Sequence, residues 1–112
     1  ELAIRDLIEL VLKRENYQVQ TAENGALGLK ELKAFQPDLV LLDLMLPDYS
    51  GYDLCREIVK SSAIPVIMLS AKNETIDKVL GLELGAEDYI TKPFDNRELT
   101  ARIKVVLRRY EL

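Results

Sequence analysis

With 112 residues, 48% of them apolar and 30% charged, the chain is sized for one globular domain that buries roughly two-thirds of its unfolded surface. It has no histidine and a single cysteine, Cys55, which excludes histidine catalysis, histidine metal ligands and any cysteine pair within this chain. The net charge of −4 argues against nonspecific nucleic-acid binding, and no window approaches the ~20 apolar residues of a membrane span, so a cytoplasmic protein is expected.

Ile4, Leu7, Ile8, Val11 and Leu12 recur at helical spacing and predict an amphipathic helix from Leu2 to Glu15. Tyr17 to Thr21 alternates in the manner of a short strand, and Asn24-Gly25 punctuates its end. A helix to Phe35 follows, with Leu29 and Leu32 inward and Gly25 and Gly28 allowing close packing. The unbroken apolar run Leu39-Val40-Leu41-Leu42 suits a strand covered on both faces, and it stops on Asp43. After the turn residues Pro47 to Gly51, a helix to Lys60 groups Leu54, Cys55, Ile58 and Val59, with Cys55 read as packed core.

A second apolar run, Pro65 to Leu69, ends on Ser70. The next helix, Glu74 to Leu84, is expected to bury Ile76, Val79 and Leu80, with Gly85 at its C-terminal cap. Tyr89-Ile90 reads as a short strand that ends at Thr91-Lys92-Pro93, and a last helix from Asn96 to Arg109 buries Leu99, Ile103 and Val106 behind an Asp95 cap. This alternation calls for an α/β, doubly wound parallel sheet with right-handed crossovers.

In such sheets ligands and chemistry gather at the carboxyl ends of the strands. Asp43 alone reads equally well as a turn opener or helix cap. Ser70 and Lys92, 27 and then 22 residues further on, close two successive strands and place a hydroxyl and an ammonium above the same edge. A carboxylate can attack phosphorus to form an acyl phosphate, and the charge that develops on the phosphoryl oxygens needs a cation and hydrogen-bond donors. A cis Lys92-Pro93 bond would aim Lys92 into this site.

Asp43-Leu-Met-Leu-Pro47-Asp-Tyr-Ser-Gly51, Ser70-Ala71-Lys72 and Tyr89-Ile-Thr-Lys92-Pro93-Phe94 resemble the receiver domain of two-component response regulators, over essentially the whole chain. The resemblance implies a flavodoxin-like fold and a phosphoacceptor, Asp43, charged by a phosphohistidine of a sensor histidine kinase. It implies that Ser70 is the switch hydroxyl, Tyr89 the aromatic switch, Lys92 the phosphate-binding lysine, and the Met45 backbone carbonyl a Mg²⁺ ligand beside Asp43. Lys78 to Tyr89 and Arg97 to Lys104 resemble the branch with winged-helix DNA-binding output domains. In that branch the fourth helix, fifth strand and fifth helix form a symmetric homodimer, which here implies pairing of Lys78 with Glu98, Asp88 with Arg102 and Glu83 with Lys104, with Glu87 and Arg109 adding another.

The family opens with an apolar central strand ending in two acidic residues, and Glu1 falls just after that pair. The chain as given is therefore read as a receiver domain over residues 1–112 without its first strand and acidic pair, and with no second domain. One metal-directed carboxylate, with Glu1 or Asp48 near it, is thin for Mg²⁺. Three explanations fit: a piece of a longer protein, a truncated chain that swaps or oligomerises, or a receiver-like interaction module without phosphorylation. A phosphatase of the aspartate-nucleophile type is disfavoured because Met45 stands where its second acid belongs.

Overall fold

The computed structural model describes residues 2–110, with side chains from Ile4 onward. The order is α1 (Leu2–Arg14), α2 (Gly25–Phe35), β1 (Val40–Asp43), α3 (Gly51–Ser61), β2 (Val66–Ser70), α4 (Thr75–Glu83), β3 (Asp88–Thr91) and α5 (Asn96–Arg109). The strands form one parallel sheet in the order β1-β2-β3. Its register aligns Asp43 with Leu69 and Ser70 with Thr91, so the strands end level along one edge.

Alternation along β2 shows why the sheet is doubly wound. Val66 and Met68 join one core cluster with Leu54, Cys55 and Ile58 of α3. Ile67 and Leu69 join the other, with Leu12 of α1 and Leu99, Ile103 and Val106 of α5. Successive side chains of a strand point to opposite faces, so each face of β2 needs its own helices. Every residue of β2 is buried. Burial pushes the Cys55 thiol pKa up, consistent with an inert packed cysteine.

Capping residues fix where the helices begin. Asn24 Oδ1 accepts from Leu27 N–H at 2.9 Å at the start of α2, and Asp95 Oδ1 accepts from Arg97 N–H at 2.7 Å at the start of α5. Gly85, just past α4, has φ +112°, a conformation that glycine adopts without steric cost.

Several expectations are corrected. Tyr17 to Thr21 forms no ladder; Tyr17 and Val19 still turn inward and pack on the α1/α5 core cluster. This segment faces β1 across a cleft of about 740 Å³, so no strand edge lies within ladder reach. For the same reason β1 is an edge strand, and of its residues only Leu42 is fully buried.

In α4, Ile76 is 73% exposed and Val79 and Leu80 are also exposed. The helix instead turns Gly81 to the sheet, where a side chain would meet Met68 Sδ and the Tyr89 ring, and Asp77, Lys78 and Leu84 flank that contact. In α1, Leu7 is exposed, and Leu12 is the one buried residue among those described from Ile4 onward. Gly28 is not needed for close packing, since a Cβ there meets only Ala22 Cβ at an ordinary 3.8 Å. Val59 lies at the margin of α3 and packs against Gly85.

Candidate functional site

The level strand ends bring together three of the residues named from sequence. Asp43 closes β1, Ser70 closes β2, and Lys92 follows β3, its N–H donating to Ser70 O at 2.8 Å. Lys92 Nζ lies 2.6 Å from Asp43 Oδ2, and the two side chains are 15% and 23% exposed. Asp43 Oδ1 accepts from Met45 N–H at 2.9 Å. One carboxylate oxygen thus faces an ammonium and the other a backbone amide, which fixes the plane of the group. The Lys92-Pro93 peptide, the cis candidate of the sequence, is cis.

Ser70 is fully buried, and its Oγ accepts from Lys72 N–H at 3.1 Å. Tyr89 lies inward, and its hydroxyl donates to Lys72 O at 2.9 Å. The two switch candidates therefore hold both backbone groups of one residue in the loop between β2 and α4. Burial pushes the Tyr89 pKa up. Tyr52 of α3 adds a second anchor, its hydroxyl donating to Asp77 O at 3.3 Å. Neither the grip on Lys72 nor the Tyr52 contact was found from sequence. Their only signal is a tyrosine at the second position of α3 and of β3, which does not say what the hydroxyls meet.

Asp48 does not join Asp43. Its two oxygens accept from Gly25 N–H at 2.7 Å and Ala26 N–H at 3.0 Å, and these bonds hold its carboxyl pKa below the ordinary aspartate value. Glu1 lies outside the described residues. The Met45 side chain is exposed, and its backbone belongs to an isolated antiparallel bridge with Ser50. Among the described residues no three His, Cys, Asp or Glu side chains gather to hold a metal ion. A single carboxylate does not make the oxygen-rich set that Mg²⁺ favours, so the described residues do not by themselves fit a resident Mg²⁺.

The predicted dimer-face charges lie on α4, β3, α5 and the turn before β3. Arg102 Nη1 pairs with Asp88 at 3.0 Å and Nη2 with Glu98 at 3.1 Å, and the Asp88 hydrogen bond, first among its contacts, raises the Arg102 pKa. Arg109 pairs with Glu87 at 3.3 Å, and Tyr110 donates to the same carboxylate at 2.8 Å. Lys104 turns to Glu15 beyond α1, at 3.0 Å. Lys78 is half-buried and Glu83 exposed on α4. Several of the charges expected to pair across a dimer thus pair within one chain. Beside them stand the exposed Ile76, Val79, Leu80 and Leu82 of α4 and Val105 of α5.

Comparison with known proteins extends these observations. The family profile described as "Response regulator receiver domain" matches residues 1–104. Among solved structures, the chain is similar to the BeF3-activated N-terminal receiver domain of RstA from Klebsiella pneumoniae, at 32% identity and TM-score 0.93, covering 96% of this chain and 92% of that one. The receiver domain of NtrX from Brucella abortus matches at 32% identity and TM-score 0.91, with 96% and 92% covered. The BeF3-activated receiver domain of DrrB matches at 36% identity and TM-score 0.88, with 96% and 91% covered.

Proposed function

From the premise that this chain belongs to the response regulator receiver domain family, we propose that it is a phosphorylation switch whose phosphoacceptor is Asp43. The observation that carries this reading is the Lys92 Nζ to Asp43 Oδ2 contact at 2.6 Å, at the strand edge where Ser70 also ends. Met45 N–H holds Oδ1, which leaves Oδ2 as the attacking oxygen. In the transfer, Oδ2 bonds to phosphorus as the P–N bond of a sensor kinase phosphohistidine breaks, and the nitrogen leaves with the electron pair. Lys92 then moves its hydrogen bond from the carboxylate to a phosphoryl oxygen and offsets part of the incoming charge of about −1.5 to −2.

Ser70 reports that charge. Its hydroxyl, now an acceptor for Lys72 N–H, becomes a donor to the phosphoryl group, and the loop gripped by Ser70 and Tyr89 shifts the population of α4 positions. The responding surface is the α4-β3-α5 face. There a two-fold homodimer exchanges the intrachain pairs of Asp88 with Arg102 and Glu87 with Arg109 for matching interchain ones, and covers Ile76, Val79 and Leu80. Coupled to a DNA-binding output domain, such a dimer would control transcription in the cytoplasm. The domain acts as signalling relay rather than as an enzyme with a separate substrate.

The test is mass spectrometry of the chain after incubation with acetyl phosphate, with and without Mg²⁺. The expected gain is one phosphoryl group, absent in Asp43→Ala. No gain under either condition, or an undiminished gain in Asp43→Ala, overturns the reading. Among the described residues Asp43 is the single metal-directed carboxylate, which favours one rival, an interaction module using the same face without phosphorylation. Sedimentation separates the two, since the rival predicts a dimer insensitive to phosphodonor and disrupted by Arg102→Ala.

A further inference from the structure

The loop between β1 and α3 is tied to itself and to one element distant in sequence. Within the loop, Gly51 N–H donates to Leu44 O at 3.0 Å, and Met45 is bridged to Ser50. These bonds make the loop one stiff unit. The distant tie is Asp48, whose carboxylate takes the N–H groups of Gly25 and Ala26 at 2.7 and 3.0 Å. Those amides open α2, so they have no intrahelical acceptor and lie at the positive end of the helix dipole. Beside this contact the Tyr49 ring lies against Gly25 so closely that a Cβ there would come 2.9 Å from Tyr49 Cγ.

We propose that Asp48 is a positioning residue for phosphoryl transfer, anchoring the phosphoacceptor loop to the start of α2 and so holding the Met45 amide that orients Asp43. The proposal rests on the phosphoacceptor reading of Asp43. Its physical content is a short lever. Met45 N–H fixes Asp43 Oδ1 at 2.9 Å, and Met45 is bridged to Ser50, two residues beyond Asp48. Release of Asp48 frees the loop as a unit, turns the Met45 amide and lets the carboxylate plane rotate away from attack geometry. Helix capping and loop anchoring are separable here, because Asn24 caps the same helix through Leu27 N–H at 2.9 Å with no bond to the loop.

The experiment compares the full chain with Asp48→Asn and Asn24→Ala, measuring the phosphorylation rate at fixed acetyl phosphate and amide exchange by NMR. Asp48→Asn keeps the side-chain shape but turns an NH₂ group toward an α2 amide. The expected result is a rate lowered about tenfold or more, as misplacement of a reacting group on the ångström scale brings. Faster exchange at Gly25, Ala26 and Met45 accompanies it. Asn24→Ala weakens α2 without touching the loop and keeps the unsubstituted rate and the Met45 amide signal. An unchanged rate in Asp48→Asn, or an equal loss in both variants, overturns the proposal. If the unsubstituted chain takes up no phosphoryl group, the phosphoacceptor reading fails, and the Met45 amide then decides the anchor separately. A change there in Asp48→Asn alone supports it, and no change overturns it.

Discussion

A Cβ placed on Gly51 would sit 2.7 Å from the carbonyl oxygen of Asp43 and 3.0 Å from the carbonyl carbon of Leu44. Both are backbone atoms and cannot rotate away, so the loop itself must move. The same residue donates its N–H to Leu44 O, which means the helix start and the strand end meet at this point. Glycine is therefore required for close approach, not for an unusual φ. Gly51→Ala should destabilise the fold by about 1–3 kcal/mol, the usual range for forced overpacking. Urea unfolding checks the magnitude. The substitution should also loosen the Asp43 Oδ1 to Met45 N–H bond, seen as faster exchange of the Met45 amide; a wild-type midpoint would mean that the loop absorbs a methyl group without strain.

Among the elements, α4 illustrates what a sequence pattern conveys and what it omits. Its periodicity gives a helix with an apolar face, and the helix is there, yet the apolar face of Ile76, Val79 and Leu80 looks outward. Periodicity reports that one side is apolar; it does not report what covers it. The sheet-facing side is set by Gly81, whose lack of a side chain lets the helix settle over Met68 and Tyr89. Asp43, Ser70 and Lys92 were legible because strand ends in a parallel sheet fall on one edge, and that follows from strand length and order alone. The Asp48 contact with α2 was not legible, since it joins residues 23 apart across a loop with no periodicity. Tyr17 to Thr21 has the alternation of a strand, but among the described residues no strand lies beside it. Gly81→Ala tests the view of α4. Helix propensity alone predicts stabilisation of about 1 kcal/mol. A Cβ 2.7 Å from Met68 Sδ and 3.1 Å from Tyr89 Cδ2 opposes this, and Met68 is fully buried with little room to move. The expected result is net destabilisation, a lower urea midpoint, with a changed tyrosine near-ultraviolet signal as Tyr89 is displaced. A higher midpoint would show instead that α4 lifts from the sheet at little cost.

At the scale of the molecule, two core clusters lie back to back on β2. The cluster with α3 is centred on Leu54, Cys55, Ile58, Val66 and Met68, and that with α5 on Ile67, Leu69, Leu99, Ile103 and Val106. Both thin out toward β1, where the cleft of about 740 Å³ is lined by Ile4, Ile8, Val19, Leu29, Leu32 and Leu41 among others. A cleft of this size lies within the range of small-molecule sites, and its walls are largely apolar. This chain should therefore bind an uncharged apolar dye such as Nile red, and the exposed apolar residues of α4 offer a competing location. Val19→Lys places an ammonium on the cleft wall, whereas Leu82→Lys places one on the exposed surface of α4. Dye fluorescence should fall several-fold in Val19→Lys and stay near the unsubstituted level in Leu82→Lys, because burying an unpaired ammonium beside the dye costs far more than exposing one to water. The opposite pattern would locate the dye on α4. It would also mean that the cleft closes in solution, with Tyr17 to Thr21 drawn against the β1 edge.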